Sequence, residues 1–278
     1  MENKLIIYDG NCKVCVGLRD MMLALGLVEQ KECIAYTALD AELKQQVSAE
    51  RFRNEMALID IRGGETLYGA DGVSFVFADK IKLLRPLFRF KPFYQVFRFL
   101  YKTLAFNRYF IATPRQQAIA CDCYPDLAAK FRVSFIAIAI LISVFLTALF
   151  GVSVHGALGV EPLAGAVQLL LIAGTGWVVQ IILAALSLER QQALDYVGHL
   201  GTIMVAGLLV LVPSIILYFI SGVLFYSLPI LSVVCSSGLM LYMHYQRVAY
   251  LGLHQRWTLQ WFLLLQATAV GWLLYFNL

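Results

Sequence analysis

The sequence predicts a chain of two parts: an α/β domain over residues 1–115, and an all-α bundle of about five transmembrane helices over residues 133–278. Three observations predict it. An apolar run, Leu5-Ile6-Ile7-Tyr8, leads through Asp9-Gly10-Asn11 into Cys12-Lys13-Val14-Cys15 and then into apolar residues at helical spacing. Charge is divided unevenly: residues 1–132 hold 19 of the 22 Lys and Arg and 15 of the 18 Asp and Glu, and residues 133–278 hold three of each. The second part also contains runs long enough to cross a bilayer without a formal charge, which takes about 20 apolar residues.

In the first part, Lys4–Tyr8 reads as a buried strand. Val16, Leu18, Met21, Met22 and Leu25 then recur at the spacing of one helical face, which predicts a helix over Lys13–Leu25 with both thiols in its first turn. Free N–H groups and the positive end of the helix favour a thiolate there. The helix end supplies about 0.3–1 kcal/mol, less than the ~1.36 kcal/mol that one pKa unit requires. The remainder is expected from a Cys15 S–H donating to the Cys12 thiolate and from Lys13 beside it. Cys12 is expected to be the exposed nucleophile and Cys15 the resolving thiol.

Further along, the pattern predicts a strand Cys33–Ala35, a short helix Ala38–Val47, and a strand pair Met56–Asp60 and Thr66–Tyr68 around Arg62-Gly63-Gly64. A helix over Gly72–Leu84 follows. Residues 80–121 hold nine basic residues and no acid, with seven aromatics from Phe88 to Tyr101. Phe93, Val96, Phe97, Leu100, Tyr101 and Leu104 share one helical face. That face suits either an interfacial helix on an anionic inner leaflet or the packing of the domain's own core. Nucleic acid is not expected as a partner, because a domain tethered at an inner leaflet explains the charge.

Asp9-Gly10-Asn11-Cys12-Lys13-Val14-Cys15 resembles the signature of the DCC family of predicted thiol-disulfide oxidoreductases, and Tyr101 to Tyr109, with Asn107-Arg108, is similar to the segment that closes that domain. The resemblance covers roughly residues 1–115. It implies a thioredoxin-like fold with a redox-active disulfide as the working group, with Gly10, Lys13, Asn107 and Arg108 in support. The order strand, helix, strand, hairpin, helix agrees with that fold. One departure from thioredoxins is that no proline precedes Pro86, so the proline that faces the dithiol there has no counterpart here.

In the second part, spans are expected near Val133–Val154, Leu163–Leu188, Leu200–Ile220, Val223–Tyr245 and Thr258–Leu278, with a tight hairpin near Ser221-Gly222. Lys130, Arg132, Arg190, Arg247 and Arg256 all fall on one side if the N-terminal domain is cytoplasmic. Met1-Glu2-Asn3-Lys4 before a short apolar run is no secretory signal, and a reducing compartment favours redox cycling or metal binding over a structural disulfide. No Asp, Glu, Lys or Arg is expected inside the spans, which argues against an ion-coupled transporter. No phosphate-binding glycine loop or metalloprotease histidine pair is present.

The remaining candidates stay open between readings. Cys12 and Cys15 form a dithiol redox centre or half of a zinc site. Asp9 accepts a proton from Cys15 or simply makes the turn. Cys121 and Cys123, in a juxtamembrane linker over 116–132, relay electrons, ligate metal, or stand as bystander thiols. Cys33 is expected to pack on a strand and Cys235 to fill the bundle core. His199, His244 and His254 fall at the cytoplasmic ends of spans, where they could bind a metal or a quinone headgroup, or be satisfied by water and lipid phosphate. The function expected is a membrane-anchored thiol-disulfide oxidoreductase at the cytoplasmic face, served by a cytoplasmic dithiol donor or acting on a disulfide substrate protein. The alternative is a non-enzymatic accessory protein that holds a metal through its cysteines and membrane-edge histidines.

Overall fold

The computed structural model describes residues 3–113, 125–223 and 225–276. The chain divides into two compact units, Met1–Phe135 and Ile136–Leu278.

The N-terminal unit is built on a four-stranded mixed sheet in the order β2-β1-β3-β4, formed by β1 (Lys4–Tyr8), β2 (Cys33–Ala35), β3 (Ala57–Asp60) and β4 (Leu67–Tyr68). β1 runs parallel to β2, with Ile7 opposite Ile34, and antiparallel to β3, with Leu5 opposite Ile59. A parallel neighbour needs a crossover, and α1 (Lys13–Ala24) supplies it. Side chains of β1 alternate between two buried faces. Ile6 and Tyr8 join Cys12, Cys15, Met22 and Leu58 on one face, while Ile7 joins Phe52, Ile59 and Tyr68 on the other. That double burial is why β1 reads as an unbroken apolar run. A fully buried isoleucine such as Ile7 contributes about 1.5–3 kcal/mol.

The expected helix over Ala38–Val47 is shorter, because Asp40 caps α2 (Ala41–Gln46) by accepting from the Leu43 N–H at 2.8 Å. Ser48 likewise caps α3 (Ala49–Phe52). After β4 come α4 (Ala70–Lys80), α5 (Arg85–Arg89), α6 (Lys91–Phe106) and α7 (Arg108–Ile111). Helix α6 packs one side on the domain's own core and leaves apolar side chains uncovered on the other. Thr103 is buried and Tyr101 reaches the Met56 N–H, while Val96, Leu100 and Leu104 stand exposed beside Arg98. The first turns of α8 (Ala129–Val154) belong to this unit, where Phe131 stacks on Phe106 at 5.0 Å and Arg132 lies over Phe110 at 4.4 Å.

The second unit is helical. Among the described residues five stretches are long and apolar enough to cross a membrane: 129–154, 162–187, 190–221, 227–250 and 256–276. These correspond to α8, α9 (Pro162–Ser187), α10 (Arg190–Leu209) continued by α11 (Val212–Ser221), α12 (Ser227–Tyr250) and α13 (Arg256–Phe276). Pro213 sits in the first turn of α11, and its missing N–H accounts for the break after Leu209. At most 28% of any span's most apolar window is buried within the chain, so large aliphatic side chains such as Leu186 and Ile220 face outward. That pattern suits hydrocarbon surroundings, not water.

Two small residues let α8 and α9 approach. A Cβ added at Gly151 would lie 2.6 Å from the Gly165 carbonyl oxygen.

Two expectations about the bundle are corrected. Helices α10 and α12 run past the spans drawn from the sequence, so Asp195 and Arg247 lie on helices and not in loops. Arg247 is buried against His199, its Nη1 2.7 Å from the ring Nδ1. Cys235, expected in the core, is exposed on α12, because the bundle presents much of each helix outward.

Candidate active site

The site is built where β1 ends. Asp9 Oδ1 accepts from the Asn11 N–H at 2.9 Å, making the turn, and Asp9 itself is buried. Gly10 passes close to β2: a Cβ there would come within 3.3 Å of the Ala35 Cβ. Cys12 is then the N-cap of α1, and its Sγ accepts from the Cys15 N–H at 3.3 Å. A sulfur in this position is bound to the helix end by the same geometry that stabilises an anion there.

The two thiols are held differently. The Cys15 hydrogen bond and the nearby Arg108 guanidinium bring Cys12 down to about 7, against the opposing effect of burial. Cys15 is pushed well up by giving that hydrogen bond to Cys12, by burial and by the Cys12 charge. Both are free thiols in this structure. Cys33, on β2, is raised to about 11 by burial, the behaviour of an inert packed thiol.

The cation is Arg108, not Lys13. Lys13 points to solvent, where its charge is screened. Arg108 is 3% exposed and donates from Nη2 to the Arg53 carbonyl at 2.7 Å, and Asp9 Oδ2 lies 3.9 Å from the same nitrogen. Asn107 sets it in place. Its Nδ2 donates to the carbonyls of Thr103 at 2.7 Å and Phe131 at 2.9 Å, and it precedes the short α7 that carries Arg108. Sequence reasoning missed three neighbours: Tyr101, whose hydroxyl burial keeps protonated, and the Arg53 and Asn54 backbone. Tyr101 opens the segment that resembles the domain's closing motif, but the Arg53 and Asn54 backbone carries no local signal, because only the folded sheet brings residues 53–56 beside residue 108.

Cys12, expected to be exposed, is buried. Cys12 is 1% exposed and Cys15 6%. The cause is that the turn from β1 folds the first turn of α1 onto the sheet face that also buries Met22, Met56 and Val76. Cys15, and not Cys12, forms part of the wall of an apolar cavity of about 400 Å³ between α1 and α6.

The other sequence candidates are not brought to this point. Cys121 and Cys123 lie outside the described residues. His199 and His244 are buried in the second unit by protein partners, not by water or lipid. His244 Nε2 is 2.9 Å from the Tyr196 hydroxyl, its Nδ1 is 3.1 Å from Thr258 Oγ1, and its ring stacks on Trp261 at 4.4 Å. His254 is exposed and accepts from the Arg256 N–H at 3.1 Å. Among the described residues no three His, Cys, Asp or Glu side chains form a group that could hold a metal ion.

No curated protein and no solved structure matches the chain. A family model of DCC1-like thiol-disulfide oxidoreductases matches residues 6–113, from the first strand to the segment after Arg108. The N-terminal unit therefore carries a DCC1-like thiol-disulfide oxidoreductase domain, on a chain whose second unit has helices fit to span a membrane.

Proposed function

We propose that the chain is a membrane-anchored thiol-disulfide oxidoreductase in which Cys12 is the nucleophile and Cys15 the resolving thiol. The observation that carries this reading is the asymmetry of the pair: one thiol is lowered to about 7 and capped by a helix N-terminus, and the other is held protonated beside it. The Cys12 thiolate attacks one sulfur of a substrate disulfide. The substrate S–S bond breaks, and the leaving thiolate takes a proton from solvent. Cys15 then gives its proton to Asp9 Oδ2, which has no hydrogen-bond donor of its own, and attacks the Cys12 sulfur. The second substrate sulfur leaves as a thiolate and takes that proton from Asp9, and the new Cys12–Cys15 disulfide awaits a cytoplasmic dithiol donor. Because Cys12 is almost wholly buried, a protein disulfide reaches it only through local opening of this corner.

The cytoplasmic placement rests on the one-sided distribution of Lys130, Arg132, Arg190 and Arg256 about the spans. The exposed Val96, Leu100 and Leu104 of α6, next to basic side chains, support contact of this domain with an anionic leaflet. Two experiments test the reading. The purified full chain should reduce insulin disulfides with a dithiol donor, and Cys15→Ser should trap substrates as mixed disulfides while Cys12→Ser traps none. A compartment-specific reporter joined after residue 278 should report the side opposite the N-terminal domain, and cytoplasmic signal there would refute the topology.

A further inference from the structure

The cavity beside Cys15 bears on what the dithiol reacts with. It holds about 400 Å³ and is walled by Val14, Leu18, Met56 and Phe77 within, with Leu100 and Leu104 of α6 opposite. Its volume suits a small molecule or two to three large side chains. Met21, Leu100 and Leu104 belong to the wall and are also exposed, at 43%, 44% and 51%, so the mouth is apolar too. Four lining residues carry polar side chains: Cys15, Asn54, Tyr101 and Arg108. Three of these are already engaged, Asn54 with Asp126, Tyr101 with the Met56 N–H, and Arg108 with backbone carbonyls. A peptide disulfide entering this space would leave its own backbone N–H and C=O groups without partners. Glutathione disulfide would in addition lose the hydration of its carboxylates. The occupant that fits is neutral and apolar, of small-molecule size, and able to exchange two electrons with a thiol on the wall.

We propose that this cavity is a binding site for a membrane-soluble quinone, with its ring against Cys15 and its tail leaving past Met21, Leu100 and Leu104. The proposal rests on the dithiol reading above and adds its reaction partner. It also moves the quinone expected near the bundle histidines to the thiol centre. The reaction balances without another reagent. Starting from the Cys12 thiolate and the Cys15 thiol, the Cys12–Cys15 bond forms and two electrons pass to the quinone. One proton from Cys15 and one from solvent complete the hydroquinone. The five helices fit to span a membrane place the chain where such a ligand dissolves.

The test uses the full chain in nanodiscs, reduced and freed of reductant, with a decyl-tailed benzoquinone as probe and glutathione disulfide as the comparison oxidant. The expected result is one hydroquinone for each Cys12–Cys15 disulfide, counted by ultraviolet absorbance and by mass spectrometry after alkylation. Leu104→Glu at the mouth and Ala105→Phe within the wall should each lower the quinone rate about tenfold more than the glutathione disulfide rate. An azide-bearing quinone should photolabel wild-type peptides from α1 and α6, a readout that depends on no variant folding. Equal loss of the two rates, or labelling confined to residues 162–276, overturns the proposal. Oxidation by glutathione disulfide with none by the quinone overturns it and leaves the dithiol reading standing. Oxidation by neither overturns both.

Discussion

The thiol corner and the histidine cluster both bury polar side chains, by different means. Around Cys12 the buried groups are ionic: Asp9 and Arg108 lie 3.9 Å apart, and the cation bears on both thiols. Around His244 they form a relay of mostly neutral hydrogen bonds, Gln180 to Tyr196 at 2.7 Å, Tyr196 to His244 at 2.9 Å and His244 to Thr258 at 3.1 Å. A thiolate that must form and discharge needs a fixed opposite charge, because burial alone would suppress it. A bundle whose outward faces are apolar needs polar groups that choose helix partners, and this relay joins α9, α10, α12 and α13. The difference is that the buried groups at the thiols act on one another through charge, whereas those around His244 are matched in hydrogen-bonded pairs that tie helices together.

The largest effect that could break this comparison is at the thiols. Cys12→Ser should abolish disulfide exchange altogether, whereas His244→Gln should leave it measurable; an insulin reduction assay on both full-length variants decides between them. Next is Trp261→Ala. Trp261 is 2% exposed and stacks on His244, so its loss should cost about 3–5 kcal/mol of bundle stability. Thermal unfolding in detergent measures that, and thiolate absorbance near neutral pH should show the Cys12 titration unmoved.

Smaller and more specific is Arg108→Met. In the wild type the thiolate fraction of Cys12 rises as pH increases through about 7. Removing the cation takes away a lowering influence, so the midpoint should move up toward the ordinary thiol value of 9.0, and at pH 7 the thiolate should be the minor form. Asp9→Asn should act in the opposite direction and more weakly, since Asp9 raises Cys12 and is the last of its influences. A midpoint below that of the wild type, with slower resolution of the mixed disulfide, is the expected pair of results. If Asp9→Asn left resolution at its normal rate, Asp9 would be a turn-maker alone.

Much of the site was legible because it is local. Asp9, Gly10, Cys12 and Cys15 lie within seven residues, and a strand leading through a turn into a helix leaves little freedom in where those side chains go. The spans were legible for a similar reason, since length and absence of charge are properties of the chain itself. Their ends were not, because the extra turns of α10 and α12 are decided by what Arg247 and His199 find to bond with.

What the sequence by itself determined is the dithiol at a helix start, the succession of strands and helices along the first part, and helices fit for a membrane. Each follows from the spacing of apolar and polar residues within one element. Tertiary structure alone decided that Cys12 is buried, that Arg108 and not Lys13 is its cation, and that an apolar cavity opens on Cys15. Those features join residues up to about a hundred positions apart. The physical reason is that a charge acts through distance and dielectric, and a cavity through the shape of packed surfaces, neither of which is set until the elements meet.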